Sequence, residues 1–354
     1  MSLDELREKI DAIDNQMLEL LNERMQVVKQ VGDLKRASNA IIYRPEREKA
    51  IIDRLESINK GLLTRPAIEA IFLEVFAVSR NMELPERIAF LGPEGSFTHQ
   101  AAESRFGATS EYVSLRTIKS VFESVDTERV RFGVVPIENN QEGSVNETID
   151  LLGELDVKIV AEIPMPIHFT FASKEDRIDK IEKIYSKDIA FRQCRKFILD
   201  YFGEDIPLVE VSSTSKAANL ALEQEGTAAI CSHIAAKLYG LPVLFENIED
   251  SRSNHTRFLI ISKHFNNQKG VMDKTSILLK TTDKPGALAS FLKEFEDAGI
   301  NLTKLESRPA REGESFKYWF LVDFDGHYKD DNVQQIFKHH KESIRFLGSY
   351  VKLC

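Results

Sequence analysis

Residues 254–258 read Asn-His-Thr-Arg-Phe and place an imidazole, a hydroxyl and a guanidinium directly before an apolar run. One interpretation is the ordinary polar start of a strand. The other is a site that holds a small anion and has a group nearby to protonate it. These five residues alone leave both interpretations open.

A second set of polar side chains interrupts an apolar helical stripe near the N-terminus. Positions spaced by three and four from residue 7 to residue 35 share one helix face, and they include Arg7, Arg24 and Lys35. Their stems could cover apolar surface while their tips reach water. Because buried cations are costly unless paired, a common anionic ligand is the alternative.

The spacing along the helix constrains such a ligand. Arg24 and Lys35 are about 16 Å apart and can reach one small molecule, whereas Arg7 lies about 25 Å from Arg24. If Arg7 belongs to the site, it comes from a second, antiparallel copy, which predicts a dimer with composite sites. Polar residues of the following helices join the set: Arg44, Arg47, Glu48, Ser79 and Glu83. Since the set offers neither a nucleophile–base pair nor metal ligands, it suits a dicarboxylate that rearranges without covalent help.

The elements that position these residues fall into three segments. Residues 1–85 are helical in pattern throughout and predict an all-α domain. In residues 86–264 short β-rich runs alternate with helical ones, which predicts an α/β domain with a mostly parallel sheet, either as one body or as two lobes with a cleft. Residues 272–354 follow a polar linker in the order β-α-β-β-α-β, which is an α+β ferredoxin-like unit.

Composition and charge limit the partners and cofactors. The 354-residue chain has a net charge of −9 and no concentrated basic tail, which argues against nucleic acid. No apolar run reaches the roughly 20 residues of a membrane helix, and the charged, amphipathic N-terminus is unlike a signal peptide. The cysteines, Cys194, Cys231 and Cys354, are scattered, which suits the reducing cytoplasm and argues against structural zinc. Without a G-x-G-x-x-G or G-K-[ST] loop, we expect no nucleotide cofactor.

Three runs of the first segment, LREKIDAIDNQMLELLNERMQVVKQVGDLK, YRPEREKAI and SRNME, together resemble the all-helical family of chorismate mutases across residues 3–84. The resemblance implies the pericyclic conversion of chorismate to prephenate, with catalysis by holding the reactive conformer and stabilising charge on the breaking ether bond. Arg7, Arg24 and Arg47 match the arginines that hold the substrate carboxylates. Lys35 matches the lysine that reaches a carboxylate and the ether oxygen.

Four further positions carry over from this resemblance. Glu48 matches the carboxylate that takes the ring hydroxyl, and Ser79 matches a carboxylate-contacting position. Glu83 falls where members carry glutamine or glutamate, and it must be protonated to donate to the ether oxygen. We therefore expect mutase activity to fall as the pH rises. Arg44 stands where some members have an acidic residue, so its role is open.

Four islands of the middle segment are GPEGSFTHQAA, PIEN, STSKAA and NHTRF. The first and third alone are typical of a tight turn or a helix cap, and PIEN follows a buried-looking strand. In this order the four resemble prephenate dehydratase over about residues 87–262, which implies a two-lobed fold like that of periplasmic binding proteins. Asn139, Ser186 and Gln193 match further active-site positions, although residues 186–189 depart from the S-H-P-Q pattern of some members. Ser213 and Thr214 lie in the STSKAA island and are assigned to the same site.

The dehydratase resemblance also explains the stretch at 254–258. Thr256 matches the family's essential threonine, placed to protonate or hydrogen-bond the departing hydroxide, and Arg257 matches the arginine that should hold a substrate carboxylate. The implied reaction removes CO₂ and water from prephenate to give phenylpyruvate, driven by aromatisation. Because an alcohol is a poor general acid, a relay must assist Thr256. His255 is not favoured as that relay, since a neighbour in a strand points to the opposite face.

The last segment, from DKPGALASFLKEFEDAG to INLTKLESRP, resembles the ACT regulatory domain of dehydratases. The implied effector is L-phenylalanine, the end product, bound between the ACT domains of two subunits in a dimer or tetramer. Gly286 lets the charged groups of the ligand approach backbone N–H groups. A small packed domain without a ligand is the alternative. The residues assigned to the effector are Gly286, Ala287, Leu288, Glu306, Ser307 and Arg308.

Three other functions compete with a bifunctional enzyme of phenylalanine biosynthesis that needs no cofactor and no metal. An amino-acid-sensing binding protein would not need Thr256 beside Arg257 or the cationic stripe. A mutase fused to a prephenate dehydrogenase would need a dinucleotide loop. A lyase of the same helical fold that acts on isochorismate would not need fusion to a prephenate-using domain.

Overall fold

The computed structural model describes residues 2–37, 43–83, 87–251, 253–265, 267–281, 284–309 and 318–352. The chain divides into two compact units. The helical unit comprises residues 1–86 and 106–111, and the larger unit comprises residues 87–105 and 112–354. Each unit is described by itself.

The helical unit is built on helices α1 (Leu3–Ala37), α2 (Pro45–Ile58) and α3 (Arg65–Glu83). Proline begins α2, where its missing N–H costs no intrahelical hydrogen bond. A small core of Ile52, Ile68 and Phe76 lies between α2 and α3. Large apolar side chains along α1 are exposed instead, including Ile10 at 56% and Leu18 at 61%. A 35-residue helix with so much exposed apolar surface needs a further surface to cover it.

The first lobe of the larger unit is a sheet in the order β2-β1-β3-β11-β5, with β4 paired to β3. Its core lies between the sheet and the helices α5 and α6. β1 pairs with β3 in parallel, whereas β11 runs antiparallel to both β3 and β5. The elements are β1 (Arg87–Leu91), α4 (Phe97–Phe106), β2 (Glu111–Leu115), α5 (Ile118–Asp126), β3 (Phe132–Asn139), β4 (Gly143–Ser144), α6 (Asn146–Glu154), β5 (Lys158–Pro166) and β11 (His255–Ser262).

The second lobe is a five-stranded sheet in the order β10-β6-β9-β7-β8. Its core is rich in alanine, so α9 and α10 approach the strands closely. The chain enters this lobe after β5 and leaves it before β11, which makes two crossovers between the sheets. The elements are β6 (Thr170–Ser173), β7 (Lys183–Ser186), α7 (Asp188–Gln193), α8 (Arg195–Phe202), β8 (Leu208–Glu210), α9 (Thr214–Glu223), β9 (Thr227–Cys231), α10 (His233–Tyr239) and β10 (Val243–Phe245).

The expected two-lobed α/β architecture is confirmed, but the sheets are mixed rather than mostly parallel. Parallel pairs include β1–β3, β7–β8 and β7–β9. Strands next to the crossovers run antiparallel to their neighbours, as β11 does with β5 and β6 does with β9. The sequence alternation predicted the local strand–helix units but not the direction in which the chain returns.

The C-terminal part of the larger unit is an antiparallel sheet in the order β13-β14-β12-β15, backed by two helices. The predicted β-α-β-β-α-β order is confirmed. Its elements are β12 (Asp273–Lys280), α11 (Ala287–Asp297), β13 (Leu302–Pro309), β14 (Tyr318–Asp325), α12 (Asp331–His339) and β15 (Ile344–Val351). Gly348 of β15 lies directly against β5, where an added Cβ would stand 2.1 Å from the carbonyl oxygen of Ile159. This sheet therefore packs backbone to backbone on the first lobe.

Candidate active sites

The helical unit contains a cavity of about 560 Å³. Seven of the eight side chains that the sequence assigns to the mutase site line it: Arg24, Lys35, Arg44, Arg47, Glu48, Ser79 and Glu83. Five cationic side chains and two carboxylates lie on its wall, together with apolar residues of α1 and Phe76 of α3. The cavity is therefore lined by more positively than negatively charged side chains, together with apolar ones.

Contacts between α1 and α3 order one end of this cavity. The guanidinium of Arg24 donates to Ser79 Oγ at 2.5 Å, and Lys35 Nζ lies 2.6 Å from Glu83 Oε2. Gly32 permits this close approach, because an added Cβ would lie 3.1 Å from Glu83 Cα. Burial lowers the pKa of Arg24, and the charge of Glu83 partly offsets the effect. Residues 48 and 55 positions apart in the sequence are therefore brought together across the two helices.

Two of the residues assigned to the mutase site contact neighbouring acidic side chains. Arg7 does not line the cavity, and its side chain is 66% exposed with Asp4 at 3.5 Å. Arg44 lies at the cavity wall, where its Nε donates to Glu46 at 2.7 Å. The exposed Arg7 agrees with the distance argument that keeps it away from Arg24 within one chain.

Sequence reasoning missed Arg80 in this cavity. Its guanidinium is paired with Glu48, and the residue is only 6% exposed. A signal was available, since Arg80 follows Phe76 by four residues and precedes Glu83 by three, which puts all three on one face of α3. The same spacing rule had singled out Arg24 and Lys35 on α1.

In the larger unit, Thr256 lies in a chain of hydrogen-bonded amides. The strand register places it opposite Asn139, whose Nδ2 lies 2.8 Å from Thr256 Oγ1 and 2.9 Å from Asn254 Oδ1. Asn254 donates in turn to Gln193 Oε1 at 3.0 Å, and Gln193 donates to Gln141 at 2.8 Å. Gln193 ends α7 of the second lobe, so the chain of amides spans both lobes beside the crossovers.

The turn that follows β3 supports this cluster. Asn139 Oδ1 accepts the backbone N–H groups of Gln141 and Glu142 at 2.9 and 3.0 Å. Asn140 Oδ1 accepts the N–H of His255 at 3.0 Å. The polar residues at the end of β3 therefore hold the strand β11 in register at Thr256.

Asn254 is a second residue that sequence reasoning left out of the site. It is 3% exposed and contacts both Asn139 and Gln193. Because side chains two apart in a strand share a face, the period-two rule would have placed it with Thr256.

Arg257 points away from the amide cluster. Its guanidinium lies 3.1 Å from Asp323, 3.2 Å from Glu138 and 3.4 Å from Glu162. Burial lowers the pKa of Arg257, but these carboxylates more than reverse the effect and raise it above the ordinary value. The assignment of Arg257 to a substrate carboxylate stays a prediction, because here the side chain serves three protein carboxylates on the other face of β11.

The remaining dehydratase assignments lie at strand–helix junctions of the second lobe. Ser186 is fully buried and donates to the carbonyl of Ile230 at 2.6 Å, so its hydroxyl is used within the sheet. Ser213 caps α9 by accepting the N–H of Lys216 at 3.0 Å, and Thr214 begins that helix. Among the described contacts, none joins these three side chains to Thr256.

The glycine-rich loop of GPEGSF is held by hydroxyls of the second lobe. Ser232 Oγ donates to the carbonyl of Gly95 at 2.5 Å, and Ser215 Oγ donates to that of Glu94. Gly95 has a φ of 77°, and an added Cβ would lie 2.8 Å from Ser215 Oγ. This position therefore needs glycine both for its backbone angle and for the close approach of the lobes.

The residues assigned to the effector form two groups. Gly286, with a φ of 84°, precedes α11, which begins with Ala287 and Leu288. On β13, Glu306 accepts from Ser144 and Arg308 lies 3.0 Å from Asp150, whereas Ser307 is exposed on the other face. The strand that carries Glu306 and Arg308 thus contacts the first lobe of the dehydratase segment directly.

Metal and membrane features are absent from the part of the chain that the structure describes. Its His, Cys, Asp and Glu side chains form no group of three that could hold a metal ion. Within the same residues, no helix is long and apolar enough to cross a membrane.

Comparisons with known proteins cover all three segments. Family models match as chorismate mutase type II over residues 6–84, prephenate dehydratase over 88–266 and ACT domain over 275–337. A bifunctional chorismate mutase/prephenate dehydratase of Aquifex aeolicus is 43% identical over 99% of this chain and 98% of its own. A relative of the same name from Stutzerimonas stutzeri is 38% identical over 98% and 97%.

Two solved structures resemble the larger unit. Prephenate dehydratase from Arthrobacter aurescens in complex with L-Phe is 32% identical, with a TM-score of 0.67 over 75% of this chain and 90% of its own. GqqA, described as a novel type of quorum quenching acylase, is 26% identical with a TM-score of 0.68 over 75% and 98%. Because proteins of two different activities share this architecture, the fold alone does not decide the reaction.

Proposed function

Because the chain belongs to the family of bifunctional chorismate mutase/prephenate dehydratases, we propose that it converts chorismate to prephenate and prephenate to phenylpyruvate, CO₂ and water. The observation that carries the first step is the cavity of the helical unit, whose wall has five cations and two carboxylates. A surplus of three positive charges suits a substrate with two carboxylates, and apolar side chains suit its ring.

The mutase step needs no covalent help from the protein. Arg24 and Arg47 bind the two carboxylates and hold the compact conformer in which the new carbon–carbon bond forms. Lys35 then stabilises the charge that develops on the ether oxygen. Lys35 is paired with Glu83 at 2.6 Å, so binding of the substrate by Lys35 requires this pair to separate. Once the pair has separated, Glu83 is placed to donate to the same ether oxygen when it carries a proton.

A dimer completes the mutase site. Arg7 is exposed, and apolar side chains along α1 are exposed with it. A second copy packed along α1 would cover that surface and bring its own Arg7 to the cavity. The assembly is therefore a dimer, or a tetramer built from such dimers.

Mixing two inactive variants tests the composite site. Arg7→Ala and Lys35→Ala each lack one group in every site of their own dimer. After subunit exchange, the mixed dimer has one site with both wild-type groups, and an equal mixture should regain about a quarter of wild-type activity. No recovery, with exchange shown by mass spectrometry, would place Arg7 outside the site.

The dehydratase step takes place at Thr256. Thr256 is 9% exposed as a residue, and its Oγ1 lies 2.8 Å from Asn139 Nδ2. We assign it the role of hydrogen-bonding the departing hydroxide while the ring loses CO₂ and becomes aromatic. Gln193 joins the cluster from the second lobe, so a closed cleft is required for the full set of contacts. We keep the proposal that Arg257 and the serine and threonine at 213–214 bind the substrate carboxylates, which requires Arg257 to leave Asp323, Glu138 and Glu162.

L-Phenylalanine is the proposed effector of the ACT segment. The Arthrobacter relative was solved with L-Phe, and this chain carries the same domain. Gly286 precedes α11 without a side-chain cap among the described residues, and the first N–H groups of a helix suit a ligand carboxylate. Inhibition requires that the effector bind two conformations with different affinity. Glu306 and Arg308 contact the first lobe, so a conformational change of the ACT segment on effector binding would reach the dehydratase segment through them.

We place the domain boundaries at 1–85, 86–264 and 272–354, in support of which the three family models match 6–84, 88–266 and 275–337. We also place the protein in the cytoplasm. Cys194 and Cys231 are unpaired thiols in the larger unit, as expected of a reducing compartment.

The proposed function is tested by one incubation. Purified protein receives chorismate with and without L-phenylalanine, and prephenate and phenylpyruvate are followed in parallel. Both products should form, and L-phenylalanine should reduce the second. Failure to consume chorismate would reject the mutase assignment, and accumulation of prephenate alone would reject the dehydratase assignment.

A further inference from the structure

The mutase cavity contains a buried guanidinium that the resemblance does not assign. The Arg80 side chain is 7% exposed and that of Glu48 is 13% exposed, and the two form an ion pair on the cavity wall. The guanidinium carbon of Arg80 also lies 5.5 Å from the ring centroid of Tyr43. A carboxylate and an aromatic face therefore fix Arg80 between them.

We propose that Arg80 is a positioning residue of the mutase reaction. It holds the carboxylate of Glu48 at the angle that accepts a ring hydroxyl of the substrate. The inference rests on the proposed mutase function and gives that site a further functional residue.

The geometry separates Arg80 from the arginines that face the substrate carboxylates. Its Nη1 is bonded to Glu48 Oε1, whereas Arg24 donates to the neutral hydroxyl of Ser79. A substrate carboxylate can replace a hydroxyl as the partner of Arg24 without leaving a buried charge unpaired. Withdrawing Arg80 from Glu48 would break a buried ion pair, which is strongly destabilising. Arg80 therefore acts on the substrate through Glu48.

The test compares Arg80→Lys and Arg80→Met in the full-length protein, with chorismate as substrate. Loss of a buried, charge-assisted hydrogen bond corresponds to about a 10- to 100-fold fall in kcat, with KM changed by only a few fold. Lysine keeps the positive charge but not the planar fork of donors, so both variants should lose kcat if orientation is what matters. The double variant Arg80→Met/Glu48→Gln should be no slower than the slower single variant, because the two residues act as a unit.

Two controls report on folding. The same variants should turn over added prephenate at the wild-type rate, since that reaction uses the larger unit. Arg65→Met removes another arginine of α3, one that pairs with Asp53, Glu56 and Glu69 and does not line the cavity. It should leave mutase kcat within about twofold of wild type. If Arg80→Met fails to fold, Arg80→Lys decides the question, because it retains the buried charge.

Several results would overturn the inference while leaving the mutase function standing. They are a kcat within twofold of wild type in both variants, a rise in KM alone, or losses that simply add in the double variant. A rise in KM alone would make Arg80 a direct substrate ligand. If the wild-type protein itself forms no prephenate, the proposed function fails first, and that outcome is distinct from the others.

Discussion

Removing one carboxylate from the charge cluster between the ACT sheet and the first lobe should destabilise the larger unit strongly. The interdomain charge cluster consists of Glu138, Glu162, Arg257, Lys274 and Asp323. Asp323 is 2% exposed, and Arg257 and Lys274 lie 3.1 and 3.3 Å from its Oδ2. Its other oxygen accepts from Ser276 at 2.7 Å. We choose the substitution Asp323→Asn, which keeps the shape and removes the charge.

The magnitude follows from what the cluster retains. Breaking a buried ion pair by removing one partner costs about 3–5 kcal/mol, because a buried charge is left uncompensated. Here Glu162 still lies 2.8 Å from Lys274, and Glu138 and Glu162 still face Arg257. We therefore take the lower end, about 3 kcal/mol. For a unit of this size that corresponds to a fall of about 6–12 °C in Tm.

The direction of the pKa shift of Asp323 determines how its contribution to stability changes with pH. Burial raises the pKa of Asp323, but Lys274 and Arg257 outweigh it and hold the pKa below the usual carboxylate range. A lowered folded-state pKa means that the carboxylate stabilises the protein above the unfolded-state pKa and that this contribution disappears as the pH falls through the folded-state value. The gap in Tm between wild type and Asp323→Asn should therefore be full at neutral pH and shrink below about pH 4.

Calorimetry of the two proteins over a pH series measures the effect. The matched control is Asp179→Asn, which removes a carboxylate from an exposed pair with Arg177. Its Tm should be indistinguishable from wild type. The reasoning is refuted if the two substitutions shift Tm equally, or if the gap for Asp323→Asn is the same at acid and neutral pH.

Three other predictions concern the reaction steps and the domain contact. Glu83→Gln should flatten the pH profile of mutase kcat, since the amide donates to the ether oxygen at every pH; an unchanged profile would remove Glu83 from that role. Thr256→Ala should abolish phenylpyruvate formation while prephenate still accumulates from chorismate, and retained dehydration would reject the assignment. Gly348→Ala should lower the Tm of the larger unit, because its Cβ would stand 2.1 Å from the carbonyl oxygen of Ile159 and overpacking costs about 1–3 kcal/mol. In the control Gly240→Ala, the added Cβ meets nothing within 4 Å, but the φ of 63° strains the backbone. The control therefore reports the effect of backbone strain without a close contact.

The helical unit was predictable from local patterns because its site depends on side chains at helical spacing. Pro45 and Pro66 indicate helix starts, because proline favours the first turn, and the observed helices are Pro45–Ile58 and Arg65–Glu83. The stripe that contains Arg24 and Lys35 does face the cavity. What the pattern could not give is the pairing of Lys35 with Glu83, which are 48 residues apart. Such pairs depend on the angle at which two helices cross, and the hydrophobic periodicity of a single helix does not determine that angle.

The dehydratase segment was less predictable from residue patterns. Asn139 and Thr256 are 117 residues apart, and they meet because β11 returns to pair with β3 in antiparallel register. Strand–helix alternation favours parallel neighbours, so the pattern alone would not have joined these two residues. The motif resemblance assigned them to one site, and the register explains how they come together.

The strand β11 explains how catalysis and regulation can meet in one short stretch. Successive side chains of a strand point to opposite faces, so Thr256 faces the amide cluster while Arg257 faces the ACT sheet. Under the proposed function, a shift of the ACT sheet that moved Asp323 would pull on Arg257, and the backbone of β11 would carry that movement to Thr256. The amide cluster tolerates little movement, because its hydrogen bonds are 2.8–3.0 Å long and weaken steeply with distance and angle. A small rotation of β11 would therefore be enough to misplace the hydroxyl that we assign to the departing oxygen.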